Sequence, residues 1–403
     1  MTTHCDIAVV GGGMNGLTSA LALAQAGYDV ALVDRTDSAA MLSDSFDGRV
    51  SSIAYSSKLV LDGLGAWEAM APHAQPILEI RVSDRDAPLF LHYDHADVGD
   101  HPLGWILENR FIRRALYAAV AATGRVTVVA PAEVAALTRS NDEVTLTMAD
   151  GARLTSRLAI ACDGKASPLR AMTGIGAWSH SYGQHGIVCT VRHEHDHRGI
   201  AHERFLPSGP FAILPLPGNI SSLVWTEKDA IARRVLELDE DEFLEEIAWR
   251  FGDFLGELEV VGPTWSYPLG LNLAGRYTDP RLALVGDAAH TIHPIAGQGY
   301  NLGIRDVAVL AEVLADGRRL GLDPGDTSLL EAYARWRRTD TMALVTVTDS
   351  LNRLFSNAFS PVALARNLGL GAVNQVPPLK RFFMRHAMGL VGKLPRLMRG
   401  EGL

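Results

Sequence analysis

"DIAVVGGGMNGLTSALALAQAGYDVALVD", residues 6–34, is the stretch from which the fold can be read. An apolar run ends in glycines, a helix-like run follows and stops at Gly27, and "DVALVD" is apolar again. Short apolar strands joined through a helix are the beginning of a parallel sheet covered on both faces. Within it stand Gly11-x-Gly13-x-x-Gly16, and Asp34 closes the second strand 18 residues after Gly16. A glycine pattern of this kind is weak by itself. Between a strand and a helix, with an acid ending the next strand, it is the context a dinucleotide fingerprint requires. The first glycine permits the tight turn and the second lets a pyrophosphate approach the backbone. The third lets helix and strand pack closely. The helix start offers N–H donors and a positive dipole end to phosphates, and Asp34 can accept from ribose hydroxyls.

The pattern continues downstream. Phe111 to Ala122 reads as a helix and "RVTVVA" as a strand. "EVTLTMADGARLTSRLAIACDG" reads as an antiparallel ribbon leading into a core strand, and "RLALVGDAAH" as one more core strand. Residues 76–100 and 173–271 differ in texture, with more aromatics, histidines and short strands such as "HGIVCTVRH", "PFAILPLPG" and "SSLVWTE". The expected architecture is α/β. A Rossmann-like domain (1–75, 101–172 and 272–328) carries an inserted, mostly antiparallel domain (76–100 and 173–271), followed by a helical, basic segment, 329–403.

Composition narrows the function. The 403 residues are 47% hydrophobic, enough for more than one core, and the net charge of −9 argues against nucleic acid as a partner. The charge is uneven. From Leu351 onward there are eight Lys/Arg and one Asp/Glu, so a basic, apolar tail follows an acidic body. Such a tail suits either a membrane surface or packing against the body. Three cysteines, Cys5, Cys162 and Cys189, with no C-x-x-C pair, point to neither a disulfide framework nor a metal site, and fit a reducing, cytoplasmic compartment. Asp6 and Gly11 interrupt any leader-like apolar run, and no stretch of about 18 apolar residues is present.

Three further motifs carry chemistry. "CDGKASPLR" holds Asp163-Gly164, Ser167 and Arg170; alone it reads as a turn after a strand. "GDAAH", 286–290, places Asp287 at the end of a core strand and before an expected helix, the edge of an α/β sheet that faces ligands. A carboxylate there suits a polyol chain. "HPIAGQGYNLGIRD", 293–306, joins a glycine-rich loop to a helix expected over 300–316. Gly297-Gln298-Gly299 exposes backbone N–H groups at a helix start, which favours negative charge, either a reduced flavin ring or a phosphate.

With these motifs in place the chain resembles, over nearly its whole length, the FAD-dependent aromatic hydroxylases. It is most similar to those of ubiquinone biosynthesis that act on 2-polyprenylphenols. Gly11, Gly13, Gly16 and Asp34 match the FAD fingerprint, and Asp163-Gly164 with Ser167 and Arg170 matches the motif implicated in FAD and NAD(P)H binding. Gly286-Asp287 matches the ribityl-binding motif, and His293 to Asp306 looks like the ubiquinone-hydroxylase signature. "DGRVSSIAYSS" resembles the segment whose arginine, here Arg49, lies near FAD, and "WILENRFIRRAL" the stretch in which Asn109 contacts the ribityl chain. Cys162 stands where the family often has alanine.

The resemblance implies that His293, Pro294, Gly297, Gln298, Gly299 and Asn301 surround the flavin, with His293 and Pro294 nearest the chemistry. It implies a monooxygenase in which NAD(P)H or another donor reduces FAD. Reduced FAD and O2 give a flavin C4a-hydroperoxide, and its distal oxygen goes to the ring of a polyprenylphenol. His290, His293, His185 and His193 are the candidates for deprotonating the phenol. A polyprenyl substrate gives the basic tail a role, in peripheral attachment to the inner face of the cell membrane or in docking to a ubiquinone-biosynthesis complex. The enzymatic alternative is a flavin oxidase or a prenyl-lipid reductase, and the non-enzymatic one is a flavin-fold scaffold in a quinone-making complex. A halogenase is disfavoured, because no two of the seven tryptophans are two residues apart.

Overall fold

The computed structural model describes residues 2–42, 48–84, 90–292, 297–355 and 373–403, with backbone alone over 343–355. The strand Thr2–Val10 forms the centre of the first sheet. It pairs in parallel with Val30–Val33 on one side and Arg153–Ala161 on the other. Val126–Val129 and Leu282–Leu284 extend the parallel order outward. All four residues of Val30–Val33 are buried, as a strand with helices on both faces demands. The helix Met14–Gln25 lies between the helices Asn109–Thr123 and Gln298–Arg319. Its Leu17, Leu21 and Leu23 are fully buried, each contributing roughly 1.5–3 kcal/mol relative to exposure. The ribbon Val134–Arg139 and Val144–Met148 hangs antiparallel from Arg153–Ala161.

The second sheet has nine strands and is almost wholly antiparallel. Ala177–His193 is its longest member, flanked by Trp265–Ala274 and Ile220–Lys228. Gly209–Leu216 and Ile200–Leu206 follow. Glu79–Asp84 then joins Ile200–Leu206 by the sheet's parallel pairing, and Phe90–Asp94 pairs with Glu79–Asp84. Segments more than a hundred residues apart in sequence thus share one sheet. Its outer face is apolar through Ile187, Cys189, Phe211, Ile213 and Trp225, and is covered by the helices Asp229–Val235 and Glu240–Phe251. Its inner face turns toward a small sheet of Val50–Ala54, Gly104–Glu108 and Gln75–Ile77.

The C-terminal segment is part of the body. The helix Thr327–Phe355 packs on Gln298–Arg319, and Tyr333 Oη donates to the Leu284 carbonyl at 2.7 Å. Met384 and Met388, in and just after the helix Pro377–Ala387, join an apolar cluster with Ile77, Ile106, Ala201 and Leu216. Leu397 and Met398 enter the main core. One expected element differs. Gly286–Ala288 is a single 3₁₀ turn followed by the short strand His290–Thr291, not the start of a long helix. That strand pairs with Asn272–Leu273, so the nine-stranded sheet captures the chain where a helix was expected.

Candidate flavin site and the sheet face beside it

The fingerprint glycines do three different jobs. Gly11 has φ +107°, and a Cβ there would lie 2.3 Å from the Cys162 carbonyl oxygen. A Cβ on Gly16 would lie 1.7 Å from the Gly11 carbonyl oxygen, so helix and strand approach as closely as the backbone allows. A Cβ on Gly13 would meet nothing within 4 Å. Gly13 is the N-cap of Met14–Gln25, in extended conformation and with no side-chain cap. The first N–H groups of this helix therefore open onto free space. Asp34 stands beside them. Gly12 N–H donates to one of its oxygens, and Thr36 N–H to the other at 2.6 Å. Each oxygen keeps a lone pair for a hydroxyl. Cys162 packs behind the turn, where burial pushes its thiol up to about 12; it is a neutral filler there.

The second group surrounds Gly286-Asp287. Ser167 caps the short helix Pro168–Met172 by accepting from Arg170 N–H at 3.1 Å. Asp163 Oδ2 accepts from Leu169 N–H at 3.0 Å, while its buried Oδ1 has no protein partner among the described residues. Arg170 does not reach into open space. Its guanidinium donates to the Ala288 carbonyl at 2.7 Å and to the Lys165 carbonyl at 2.9 Å, bracing the turn that carries Asp287. Asp287 itself is solvent-accessible yet closely surrounded by protein, as a carboxylate on a crevice wall is. Burial raises its pKa against the opposing charges of His290 and Lys165.

Behind this turn lies a buried ionic cluster centred on Asp306. It accepts from Gly286 N–H at 2.8 Å, His290 Nε2 at 2.6 Å and Arg337 Nε at 2.5 Å. Arg337 also donates to Asp340 at 2.9 Å, which Arg305 holds at 2.8 Å. Burial alone would raise the Asp306 carboxyl. The His290 and Arg337 charges and their hydrogen bonds outweigh it and keep the group below its ordinary value. Asn15, in the first turn of the fingerprint helix, keys these parts together. Its side chain fills the space that a Cβ on Gly286 or on Gly303 would need, 2.3 Å away in each case.

Third comes the loop before Gln298–Arg319. His293 and Pro294 lie outside the described residues. Gly297 is left-handed, φ +62°, and a Cβ there would lie 2.7 Å from Ser52 Cβ. It caps the helix without a side chain, and among the described residues Gly299 has nothing within 4 Å of a Cβ. Gln298 occupies the first helical position between them. Asn301 is a clamp. Its Nδ2 donates to the Ser52 carbonyl at 2.8 Å, and its Oδ1 accepts from Ala54 N–H at 2.9 Å. Asn109 holds the other end of the same strand. Its Oδ1 accepts from Ser51 Oγ at 2.7 Å, and its N–H donates to the Arg49 carbonyl at 2.9 Å. Arg49, half of this staple through its backbone, has its side chain at the surface.

Of the candidate histidines, His290 is spent on Asp306 and is buried. His193 is fixed between the His195 carbonyl at 2.7 Å and Ser221 Oγ at 3.1 Å, and burial lowers its pKa. His185 sits 3.1 Å from Ser266 Oγ and 3.6 Å from Asp229. The inner face of the nine-stranded sheet offers a group the motifs did not reveal. On the strand Ile200–Leu206, Ala201 and Phe205 point inward and are buried, and Glu203 shares their parity. A charged residue on the apolar parity of a strand was the available signal. Farther across this face Trp265 and Tyr267 are exposed, and Trp265 Nε1 stands 2.4 Å from where a Cβ of Gly48 would be. The sheet face therefore meets the segment leading into Val50–Ala54.

These residues fit a flavin dinucleotide. Two uncapped helix starts, an acid beside one and an accessible acid between them, match a phosphate, ribose, polyol and ring in sequence. The family profile described as "FAD binding domain" matches residues 4–348. "Ubiquinone hydroxylase UbiL" of Rhodospirillum rubrum is 51% identical over 401 residues, 99% of this chain and 93% of that protein. "3-demethoxyubiquinol 3-hydroxylase" of Escherichia coli is 36% identical, over 96% of this chain and 98% of its own. Among solved structures, p-nitrophenol 4-monooxygenase PnpA from Pseudomonas putida superposes with a TM-score of 0.82, covering 98% of this chain and 100% of that one. At 20% identity this last likeness concerns the fold.

Proposed function

The chain belongs to the FAD-binding-domain family and, within it, to the FAD-dependent hydroxylases of ubiquinone biosynthesis, and from that premise we propose how its residues serve the reaction. It is a FAD-dependent monooxygenase, and its substrate is the phenolic ring of a polyprenylated ubiquinone precursor. Bound FAD supplies the redox chemistry, passing electrons from NAD(P)H or another donor to O2. The protein binds, orients and excludes water.

In this reading the N–H groups after Gly13 hold the diphosphate, and Asp34 accepts from the adenosine ribose. Asp287 accepts from the ribityl hydroxyls. Gly11 and Gly16 contribute by what they lack. The helix start at Gly297, Gln298 and Gly299 would favour negative charge on a flavin ring held beside it. Asn301, Asn109, Arg49, Asp163, Gly164 and Arg170 shape the walls rather than the chemistry. The observation that supports this most is Asn15. By filling the space beside both Gly286 and Gly303, it holds the fingerprint helix, the Asp287 turn and the signature helix in one cluster.

The test is a deletion strain whose quinone precursors are read by mass spectrometry. A hydroxylation-deficient polyprenylphenol should accumulate, and the purified protein should transfer label from ¹⁸O2 into it. A normal quinone profile, with no redundant hydroxylase present, overturns the assignment.

The tail supports a second, separate proposal, peripheral contact with a membrane. Among the described residues no helix is long and apolar enough to cross one. The helix Pro377–Ala387 buries Met384 but exposes Leu379, Phe382 and Phe383, with Arg381 and Arg385 on the same helix. Not every basic residue of the tail is available. Lys380 pairs with Asp97 at 2.6 Å, Arg396 with Asp316 at 2.7 Å and Arg399 with Glu401 at 2.8 Å. The apolar ridge, more than the net charge, is the part suited to lipid.

A further inference from the structure

A phenol is activated toward oxygen transfer by losing its ring O–H proton, and of the candidate histidines His185, His193 and His290 are engaged with other protein groups. The inner face of the nine-stranded sheet supplies a different acceptor. One row of side chains crosses it in register, Val188, Val224, Ala212, Glu203, Val82 and Leu91. Five of the six are small or branched apolar residues, and Glu203 is the row's only ionisable group. Its neighbours along the strand on the same face, Ala201 and Phe205, pack with Leu216 and Met384 and with Leu91 and Tyr93. The alternate residues His202 and Arg204 face the outer helical layer, His202 against Phe254 and Arg204 on the Arg250 carbonyl. Glu203 is thus aimed away from that layer, toward the side where Trp265 meets Gly48 and where the apolar cluster reaches Val50 and Tyr55.

A buried carboxyl normally has a partner. Among the described residues Glu203 has no hydrogen bond or ion pair, and it is mostly but not fully buried. Burial alone pushes it up to about 7; Asp84, Tyr93 and Tyr267 share this sheet face and add no charge effect. Solvent reaches it while protein surrounds it, as on the wall of a crevice.

Resting on the phenol-hydroxylase reading, we propose that Glu203 is a catalytic residue whose carboxylate accepts the hydrogen bond of the substrate's ring hydroxyl and takes its proton. The O–H bond breaks, the proton binds a Glu203 oxygen, and the electron pair stays on the ring oxygen. Ring carbons ortho and para to it gain electron density, which is what attack on an electrophilic oxygen requires. A base poised near 7 and shielded by apolar neighbours suits the task. Its own ionisation sets the pH at which the phenol becomes reactive.

The test uses FAD-loaded enzyme and 2-(3-methylbut-2-enyl)phenol carrying ¹³C at the hydroxyl-bearing carbon. In oxidised enzyme without electron donor, the ¹³C shift of bound ligand is followed against pH. With wild type the shift should move toward the phenolate value as Glu203 ionises, well below the ~10 of a free phenol. With Glu203→Gln that early movement should vanish, while flavin absorbance and ligand affinity remain. Turnover of Glu203→Gln should fall on the order of 100-fold in kcat with little change in KM, and Glu203→Asp should recover part of it. An unchanged ¹³C titration and pH–rate profile in Glu203→Gln, with wild type hydroxylating normally, would overturn this role alone. Failure of wild type to bind or hydroxylate any 2-prenylphenol overturns the functional reading, and this role with it.

Discussion

Glu203→Gln should make the protein more stable at pH 8 and leave it unchanged at pH 4. The reasoning starts from a carboxyl whose ordinary value of 4.5 is raised to about 7 by burial without a partner. Below pH 4.5 it is protonated folded or unfolded, so it has no effect on the pH dependence of stability. As pH rises through 4.5 the unfolded chain releases the proton while the folded protein retains it, so stability falls. The fall ends near 7, where the folded protein ionises too. The interval from 4.5 to about 7, at about 1.4 kcal/mol per pH unit, corresponds to roughly 3–4 kcal/mol before screening. Solvent in the crevice screens the group and reduces this to roughly 2 kcal/mol.

Glutamine matches the protonated acid in shape and polarity and does not titrate. The two proteins should therefore unfold alike at pH 4 and diverge by roughly 2 kcal/mol at pH 8. Urea unfolding followed by tryptophan fluorescence suits the measurement, because Trp225 is fully buried in the same sheet. Comparing variant with wild type at each pH cancels every other titrating group. An equal difference at both pH values would show that Glu203 does not ionise abnormally. A glutamine variant less stable at pH 8 would show that the carboxylate has native partners, and the reasoning about an unpaired acid would be wrong.

The glycines give a matched pair. Gly16→Ala should leave the protein colourless after purification, since its Cβ would sit 1.7 Å from the Gly11 oxygen. Gly13→Ala meets no protein atom within 4 Å, so unfolding should shift by less than about 1 kcal/mol while FAD affinity, measured by flavin fluorescence, drops about tenfold or more; retained affinity refutes the phosphate cradle. Asp306→Asn leaves Arg337 buried with Asp340 as its remaining carboxylate and removes the charge that holds His290. A loss of about 3 kcal/mol is expected at neutral pH, and a thermal-unfolding shift equivalent to under 1 kcal/mol would contradict it. Because the Asp306 pKa is depressed in the fold, its contribution is present above the unfolded carboxyl value of ~3.9 and is lost as pH falls toward the folded one. Replacing both Phe382 and Phe383 by Glu should reduce flotation with anionic liposomes without altering flavin content; equal flotation would exclude this ridge as the membrane contact. Truncating the tail is a poorer test, since Leu397 and Met398 belong to the core.

What was legible in the sequence follows from how local each signal is. Gly11, Gly13 and Gly16 announce themselves because a glycine's meaning lies in its own missing Cβ, and the strand on either side is a run of buried apolar residues. Asp34 and Asp287 could be placed because they end such strands. Arg170 and Asn301 stand in motifs visible in the sequence, but the groups they bind are not readable from it. Each satisfies backbone groups on a segment more than a hundred residues away, and nothing in its own neighbourhood says so. The helix expected after Asp287 failed for a similar reason, because pairing of His290–Thr291 with Asn272–Leu273 overrode local preference. Glu203 stands in no motif, and what sets it apart is the strand face it occupies, which follows from pairing with strands distant in the chain.

Asp287 and Glu203 show how one scaffold can give two carboxyls different work. Burial raises both. Asp287 lies beside Lys165 and His290, whose charges oppose that rise and favour its ionised form. It sits on a turn braced by Arg170 at the Ala288 carbonyl and by Asp306 at the Gly286 N–H. A carboxylate so held is an acceptor, suited to hydroxyls that keep their protons. Glu203 has no countercharge among the described residues, so its protonation state changes near neutral pH. Environments that separate two acids in this way divide binding from proton transfer. The ionised pairs that could have blurred the distinction, Asp306 with Arg337 and Asp340 with Arg305, are held one layer behind the crevice. There they fix geometry without competing for the substrate's proton.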